Sequence, residues 1–304
     1  PWYGLEDKEI TSLVTLIMGL VKDEIPPTKL PEKTPQYLAV TKGEQFIHTN
    51  NCLGCHKLDD EGGAIWPATA DWLREVADNT NAEDMSLVQS FSPPLLNTQG
   101  RKTQPQWLLK WFKNVSMIRP HLQVRMPSFD YTDEEWNDLI SYFQQKDNLD
   151  LIYEDPHDFT LNSSSFKAGE RIAEMGACIN CHFYGQEKPK QDALTWAPNL
   201  VLTKERLRPE WLVEWFINPQ DVMPGTKMPA PYIPTEEPQN SIREVWGSDV
   251  AQISRDSTKL YKSLIDWMWG MEGRKDVSSI VRRHLNSQGY GFIIEEEDDW
   301  GDEW

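Results

Sequence analysis

The sequence predicts a mainly α-helical chain built from two tandem repeats, and three observations carry that prediction. A Cys-x-x-Cys-His pentapeptide occurs twice, as Cys52-Leu53-Gly54-Cys55-His56 and Cys178-Ile179-Asn180-Cys181-His182. Each is preceded by a matching segment, Gly43-Glu44-Gln45-Phe46 and Gly169-Glu170-Arg171-Ile172, whose glycine lies nine residues before the first cysteine. Each is followed by an aromatic helical stretch, Gln106-Trp107-Leu108-Leu109-Lys110-Trp111-Phe112-Lys113-Asn114 and Glu210-Trp211-Leu212-Val213-Glu214-Trp215-Phe216-Ile217-Asn218. Repetition on this scale marks a duplicated structural unit.

The pentapeptide carries specific chemistry. Its two thiols are spaced to form thioethers with the two vinyl groups of one haem, and the adjacent imidazole then reaches the iron from one face. These four cysteines are all the chain has, so none is left for a disulfide or a nucleophile. The competing readings are a single four-thiolate zinc site and a redox dithiol. A zinc ribbon brings its pairs together within about twenty residues, whereas Cys52 and Cys178 are separated by far more. Neither alternative needs a histidine after both second cysteines. Two covalent c-type haems are therefore expected.

The elements follow in order. Pro1-Trp2-Tyr3-Gly4-Leu5-Glu6-Asp7-Lys8-Glu9 aligns without gaps on Pro127-Ser128-Phe129-Asp130-Tyr131-Thr132-Asp133-Glu134-Glu135. Residues 1–30 thus read as the closing helix and linker of a preceding haem domain in a longer polypeptide, an unrelated amphipathic helix being the alternative. Residues 31–150 form the first haem repeat and 151–274 the second. Tryptophans at i and i+4 share a helical face, which suits ordinary core as well as a haem pocket. Recurrence after each haem motif favours Trp107 with Trp111 and Trp211 with Trp215 as pocket or near-pocket walls. Each repeat then reaches a Met-Pro pair, at Met126-Pro127 and Met228-Pro229. A helix with an acidic first turn is expected from Asp133 to Phe143, where the helix dipole favours it. Its counterpart is delayed by a Pro-rich and then polar insertion to about Thr258–Gly270. His157, in the interdomain linker, and His284, in the tail, read as solvated, and His48 as a surface residue. Residues 275–304 read as an acidic extension too poor in apolar side chains to add to a haem fold. Its end, Glu295 to Trp304, is either a solubilising segment or a docking one.

With these motifs the sequence resembles the class I cytochrome c family over both repeats. The shared order is a helix ending in Cys-x-x-Cys-His, a Pro-x-Leu segment, a middle helix, a Met-Pro ligand loop and a closing helix. The resemblance implies two class I cytochrome c-like domains, with iron held by His56 and Met126 in one and by His182 and Met228 in the other. It also implies that the carbonyls of Pro93 and Pro198 receive the proximal histidine N–H and so orient the ring. Pro224-Gly225-Thr226-Lys227-Met228 matches the family loop well, whereas Leu122-Gln123-Val124-Arg125 before Met126 does not, leaving His121 and Met117 as competitors there and Met223 as one for Met228. The first repeat also carries extra residues between His56 and Pro93.

His/Met ligation fills both axial positions, which suits electron transfer and leaves no site for oxygen or peroxide. The leading reading is a cytochrome subunit of a larger respiratory or photosynthetic complex. A dihaem peroxidase, needing one labile ligand, is the alternative; a haem sensor or a multihaem wire ranks below both. The formal charge of −18 disfavours nucleic acid and anionic lipid and favours a redox partner with a basic docking face, bound more weakly as salt rises. The longest apolar run, Leu13 to Val21, falls short of the ~20 residues that span a bilayer. Haem c is attached outside the cytoplasm, so a periplasmic or extracytoplasmic location is expected, although Pro1 does not open a signal peptide.

Overall fold

The computed structural model describes residues 5–20, 30–75, 85–122 and 124–287. Pro1–Gly4 of the proposed N-terminal alignment, Gln123 of the first ligand loop and the acidic segment Glu295–Trp304 lie outside them. The chain divides into two compact units, residues 1–38 and 39–304.

The first unit holds α1 (Asp7–Leu20), which opens on Asp7 and Glu9 as the helix dipole favours. Its apolar side chains Ile10, Leu13, Val14, Leu16, Ile17 and Leu20 are all exposed. The boundary between the units falls inside α2 (Pro35–Thr49).

The second unit contains both repeats. In the first, α2 buries Ala39, Gly43 and Ile47 at four-residue spacing. A short 3-10 turn (Cys52–Gly54) follows, and then a two-residue antiparallel hairpin of β1 (Lys57–Leu58) and β2 (Glu61–Gly62), which the helical expectation omitted. Next come α3 (Trp66–Glu75), α4 (Met85–Phe91), α5 (Gln99–Lys102), α6 (Pro105–Lys113) and α7 (Asp133–Lys146). Helix α7 starts where its acidic turn predicted and is fixed by a capping box. Thr132 Oγ1 accepts from Glu135 N at 3.3 Å, and Glu135 Oε2 accepts from Thr132 N at 2.8 Å. Its inner face, Trp136, Leu139, Ile140 and Phe143, packs with Ile47, Leu108 and Phe112 in one core. The extra residues of this repeat build α3 and α4, with a satellite core of Leu73, Val88, Phe91 and Leu122.

The second repeat begins with α8 (Ser164–Met175), capped by Ser163 Oγ accepting from Phe166 N at 3.1 Å. After the 3-10 turn Cys178–Asn180 come α9 (Thr203–Arg206), α10 (Pro209–Ile217) and α11 (Pro219–Val222). The stretch expected as a polar insertion instead forms α12 (Gln239–Trp246) and α13 (Ser248–Ile253). These bury Ile242, Trp246, Val250 and Ala251, an apolar i, i+4 series diluted by charged neighbours. The counterpart closing helix is α14 (Ser257–Trp269), buried along its length from Leu260 to Trp269 apart from Lys262. The final helix, α15 (Ser278–Ser287), corrects a second expectation. Residues beyond 275 do add to the fold, because Val277 and Val281 pack on Phe183 and Trp196.

Two histidines expected in solvent are not there. His157 Nε2 lies 2.7 Å from Asp266 Oδ1, and both side chains are 11% exposed. His284 rests on the Trp196 ring at 4.7 Å. The linker is accordingly pinned to both repeats: Gln106 Nε2 donates to Tyr153 O at 2.9 Å, and Trp269 Nε1 donates to Asp155 Oδ2 at 3.0 Å. His48 lies on α2 with its side chain exposed.

Candidate functional site

The two Cys-x-x-Cys-His segments adopt the same backbone, bond for bond. In each, the residue before the first cysteine turns left-handed, Asn51 at φ 52° and Ala177 at φ 51°, and breaks the preceding helix. A 3-10 turn then brings His56 N within 2.9 Å of Cys52 O and His182 N within 2.9 Å of Cys178 O. Both cysteines and the histidine are thereby gathered on one tight loop. The left-handed backbone costs an alanine roughly 1–2 kcal/mol, while asparagine tolerates it. Ala177→Gly should therefore raise stability by about 1 kcal/mol, and Asn51→Gly should change it by much less. Urea unfolding checks both, and an unchanged or lowered midpoint for Ala177→Gly would contradict the strain.

Each motif histidine is oriented by a proline carbonyl. His182 Nδ1 lies 2.8 Å from Pro198 O, and His56 Nδ1 lies 2.8 Å from Pro94 O. The second contact corrects the sequence reading, which named Pro93. Backbone bonding shows why: Leu96 N donates to Lys57 O and Leu200 N donates to Phe183 O, each acceptor following its motif histidine. That register pairs Leu96 with Leu200 and hence Pro94 with Pro198. Two adjacent prolines, each followed two residues later by leucine, had left the choice open.

With Nδ1 donating to a carbonyl, Nε2 is the ring nitrogen carrying the lone pair in each histidine. Burial lowers the pKa of both His56 and His182 and favours this neutral, metal-binding form. The thiols behave oppositely to a redox dithiol. Burial raises Cys52 and Cys181 and lifts Cys178 to about 11, whereas a reactive cysteine needs its pKa lowered. Among the described residues, no three His, Cys, Asp or Glu side chains converge on a metal-sized site, so the four cysteines do not form one zinc centre.

The remaining candidates fall on two cores. Met126 packs beside Trp107 and Trp111 against the first, and Met228 beside Trp215 against the second, which buries Trp211. Both tryptophan pairs stack, at 6.0 Å and 16° for Trp107–Trp111 and at 5.0 Å and 17° for Trp211–Trp215. The repeats differ in one donor. Trp215 Nε1 points at Met228 Sδ, 2.8 Å away, while Trp111 Nε1 donates to Ser116 O at 3.0 Å. His121, the competitor to Met126, has Nδ1 2.7 Å from Trp196 O and Nε2 3.1 Å from Ser90 O. Both its nitrogens thus face backbone carbonyls. Burial, followed by the nearby Arg119 charge, lowers its pKa to about 3, so the ring is neutral and donates through one nitrogen. Met117 packs instead with the Phe183–Trp196 cluster.

Two thiols beside a neutral imidazole, with a thioether on the same core, form a donor set that fits a covalently attached haem. Residues 40–147 match the family model for cytochrome c. The cytochrome c segment thus covers the first repeat from α2 through α7, and haem c is the cofactor that this family implies. The chain is also similar to a nitric oxide reductase subunit from Halomonas halodenitrificans, 26% identical over 121 residues. That alignment covers 39% of this chain and 66% of the relative, just under two thirds of its length. No solved structure matches the chain.

Proposed function

We propose that this chain transfers electrons through two covalent haems, each attached at one Cys-x-x-Cys-His segment. The observation that carries the reading is the bond-for-bond identity of the two segments, each with a histidine Nδ1 at 2.8 Å from a proline carbonyl. Haem supplies a one-electron Fe(III)/Fe(II) couple when bound. The protein's part is to attach it through Cys52 and Cys55 or Cys178 and Cys181, and to present the Nε2 lone pair of His56 or His182 to the iron. Met126 and Met228 would hold the iron together with these histidines, and the two stacked tryptophan pairs would exclude water. Met126 is preferred over His121 because both ring nitrogens of His121 are already turned to carbonyls. Met228 differs from Met126 in receiving the Trp215 N–H, which draws electron density from its sulfur.

The domains assigned to this function are 31–150 and 151–274, with α15 packing back on the second through Val277 and Val281. The similarity to a protein named as a reductase subunit supports a role within a larger electron-transfer complex, on the periplasmic or extracytoplasmic face of an energy-transducing membrane. Among the described residues, no helix is long and apolar enough to cross a membrane. The net charge of −18 suits a basic partner surface.

The test is carbon monoxide added to the dithionite-reduced protein. An unchanged Soret band is expected, because each iron would be held by a histidine and a methionine of this chain with no ligand left to give up. A shift in about half of the haem would reveal an open site, replace the pure carrier with a peroxidase-like reading, and place the fault in the first repeat.

A further inference from the structure

The repeats meet at a local two-fold seam. Thr103 and Leu207 form an antiparallel bridge, Gln104 N donates to Arg206 O at 2.9 Å, and Arg208 N donates to Lys102 O at 3.0 Å. Lys102 and Arg206 occupy equivalent positions, each five residues before the first tryptophan of its repeat's pair. They exchange partners across the seam. Lys102 Nζ lies over the Trp211 ring at 5.3 Å, and Arg206 Cζ lies over the Trp107 ring at 5.6 Å. Arg119 joins them, donating through Nη2 to Ser92 O at 2.6 Å.

The charges of this seam do not balance. Burial opposes the charged form of Lys102, Arg119 and Arg206, and the three repel one another, Lys102 feeling both arginines and Arg119 feeling Arg206. Arg119 is also close enough to His56 to oppose its protonation. The acidic groups nearby are engaged elsewhere, Glu214 with Arg101 at 2.7 Å and Glu205 with Lys275. Among the described residues, no carboxylate stands within 4.0 Å of any of the three cations, in a chain with 48 acidic residues. Arg206 Nε, Arg208 Nη2 and Trp211 Nε1 are buried with no acceptor. Lysine, arginine and indole N–H groups donate only. Lys102, Arg119 and Arg206 are themselves half-buried, and unpaired half-buried charge and unmet buried donors are both costly. A group that suits these donors is an acceptor without protons that carries negative charge, and one placed at the seam reaches both repeats.

We propose that Lys102, Arg119 and Arg206, with the Trp211 indole N–H, form one shared oxyanion site that takes the propionate carboxylates of both haems. The site rests on the two-haem reading, since the propionates are the anions that cofactor brings, one pair from each repeat. Sharing has a consequence that separate sites lack. A cation beside a haem carboxylate favours the ferrous state, the form with less positive charge. Cations held in common raise both midpoint potentials, and a substitution in either repeat is felt by both irons.

The experiment is a potentiometric titration of the haem-loaded chain as wild type, Lys102→Met, Arg206→Met and Arg206→Lys, with haem counted per chain for each. Removing a half-buried cation that faces other cations is tolerated in folding. The expected result is two haems per chain throughout and a fall in both potentials for either methionine variant. At a fixed poise the oxidised-to-reduced ratio of each haem should rise about three- to tenfold, and Arg206→Lys should stay near wild type. Potentials that stay put, or a shift confined to one haem, overturn the shared site while leaving the two-haem reading intact. So does a wild-type potential that moves with added inorganic phosphate while the methionine variants do not respond, since the seam then holds a free ion. A wild-type chain binding one haem overturns both the site and the reading beneath it.

Discussion

Gly169→Ala unfolds the second repeat at a denaturant concentration the wild type tolerates, at a cost of about 3 kcal/mol or more. Gly169 lies on the face of α8 that crosses α14, and a Cβ placed there would fall on the Ser263 carbonyl oxygen. The obstacle is backbone inside a buried helix, so no side-chain rotation relieves it. The two helices would have to separate, and with them the contacts of Ile172 and Ala173 against the core that Leu264 and Ile265 share. The first repeat uses the same device, Gly43 on α2 meeting Tyr142 on α7. Gly43→Ala should therefore weaken the first repeat comparably. Urea unfolding followed by haem absorbance and tryptophan fluorescence measures both variants. A Gly169→Ala protein with a wild-type midpoint would contradict this account of the helix crossing.

Under the proposed ligation, Met228→Ala is expected to open one iron and only one. The reduced variant should bind carbon monoxide at about half of its haem, and its altered haem should fall in potential, because the thioether that favours the ferrous state is gone. Met126→Ala should do the same to the other half. Trp215→Phe is the finer test. Loss of the N–H aimed at Met228 sulfur makes the thioether a better donor to ferric iron, lowering that potential without opening the site. If His121→Ala rather than Met126→Ala opens the first iron, the ligand assignment of the first repeat is wrong, and the carbonyl contacts of His121 belong to another state.

Much of the site was legible in the chain because its signals are local. The two pentapeptides, the glycine nine residues upstream, the tryptophan pair and the acidic cap of α7 each act over a turn or two of helix. Elsewhere the deciding contact lay far away in sequence. Pro94 rather than Pro93 meets His56 because Leu96 bonds to Lys57, a register invisible in a double proline. His157 is buried because Asp266 awaits it more than a hundred residues on. Helices α12 and α13 were hidden because Ile242, Trp246 and Val250 sit among charged residues. The packing around α15 was missed because Val277, just before the helix, and Val281 within it are only two valines, and the Phe183–Trp196 pair that receives them is formed by tertiary folding. The seam cations had a sequence signal, the equivalent placement of Lys102 and Arg206, which becomes meaningful once Thr103 and Leu207 are seen to pair.

Whether the chain carries two covalent haems is decided by the intact mass of the protein produced with a haem-attachment system, taken with thiol alkylation under denaturing conditions. The expected mass is the chain plus two haems with no alkylated cysteine, Cys52, Cys55, Cys178 and Cys181 all being held as thioethers. A mass showing one haem, with Cys178 and Cys181 free to alkylate, would contradict it.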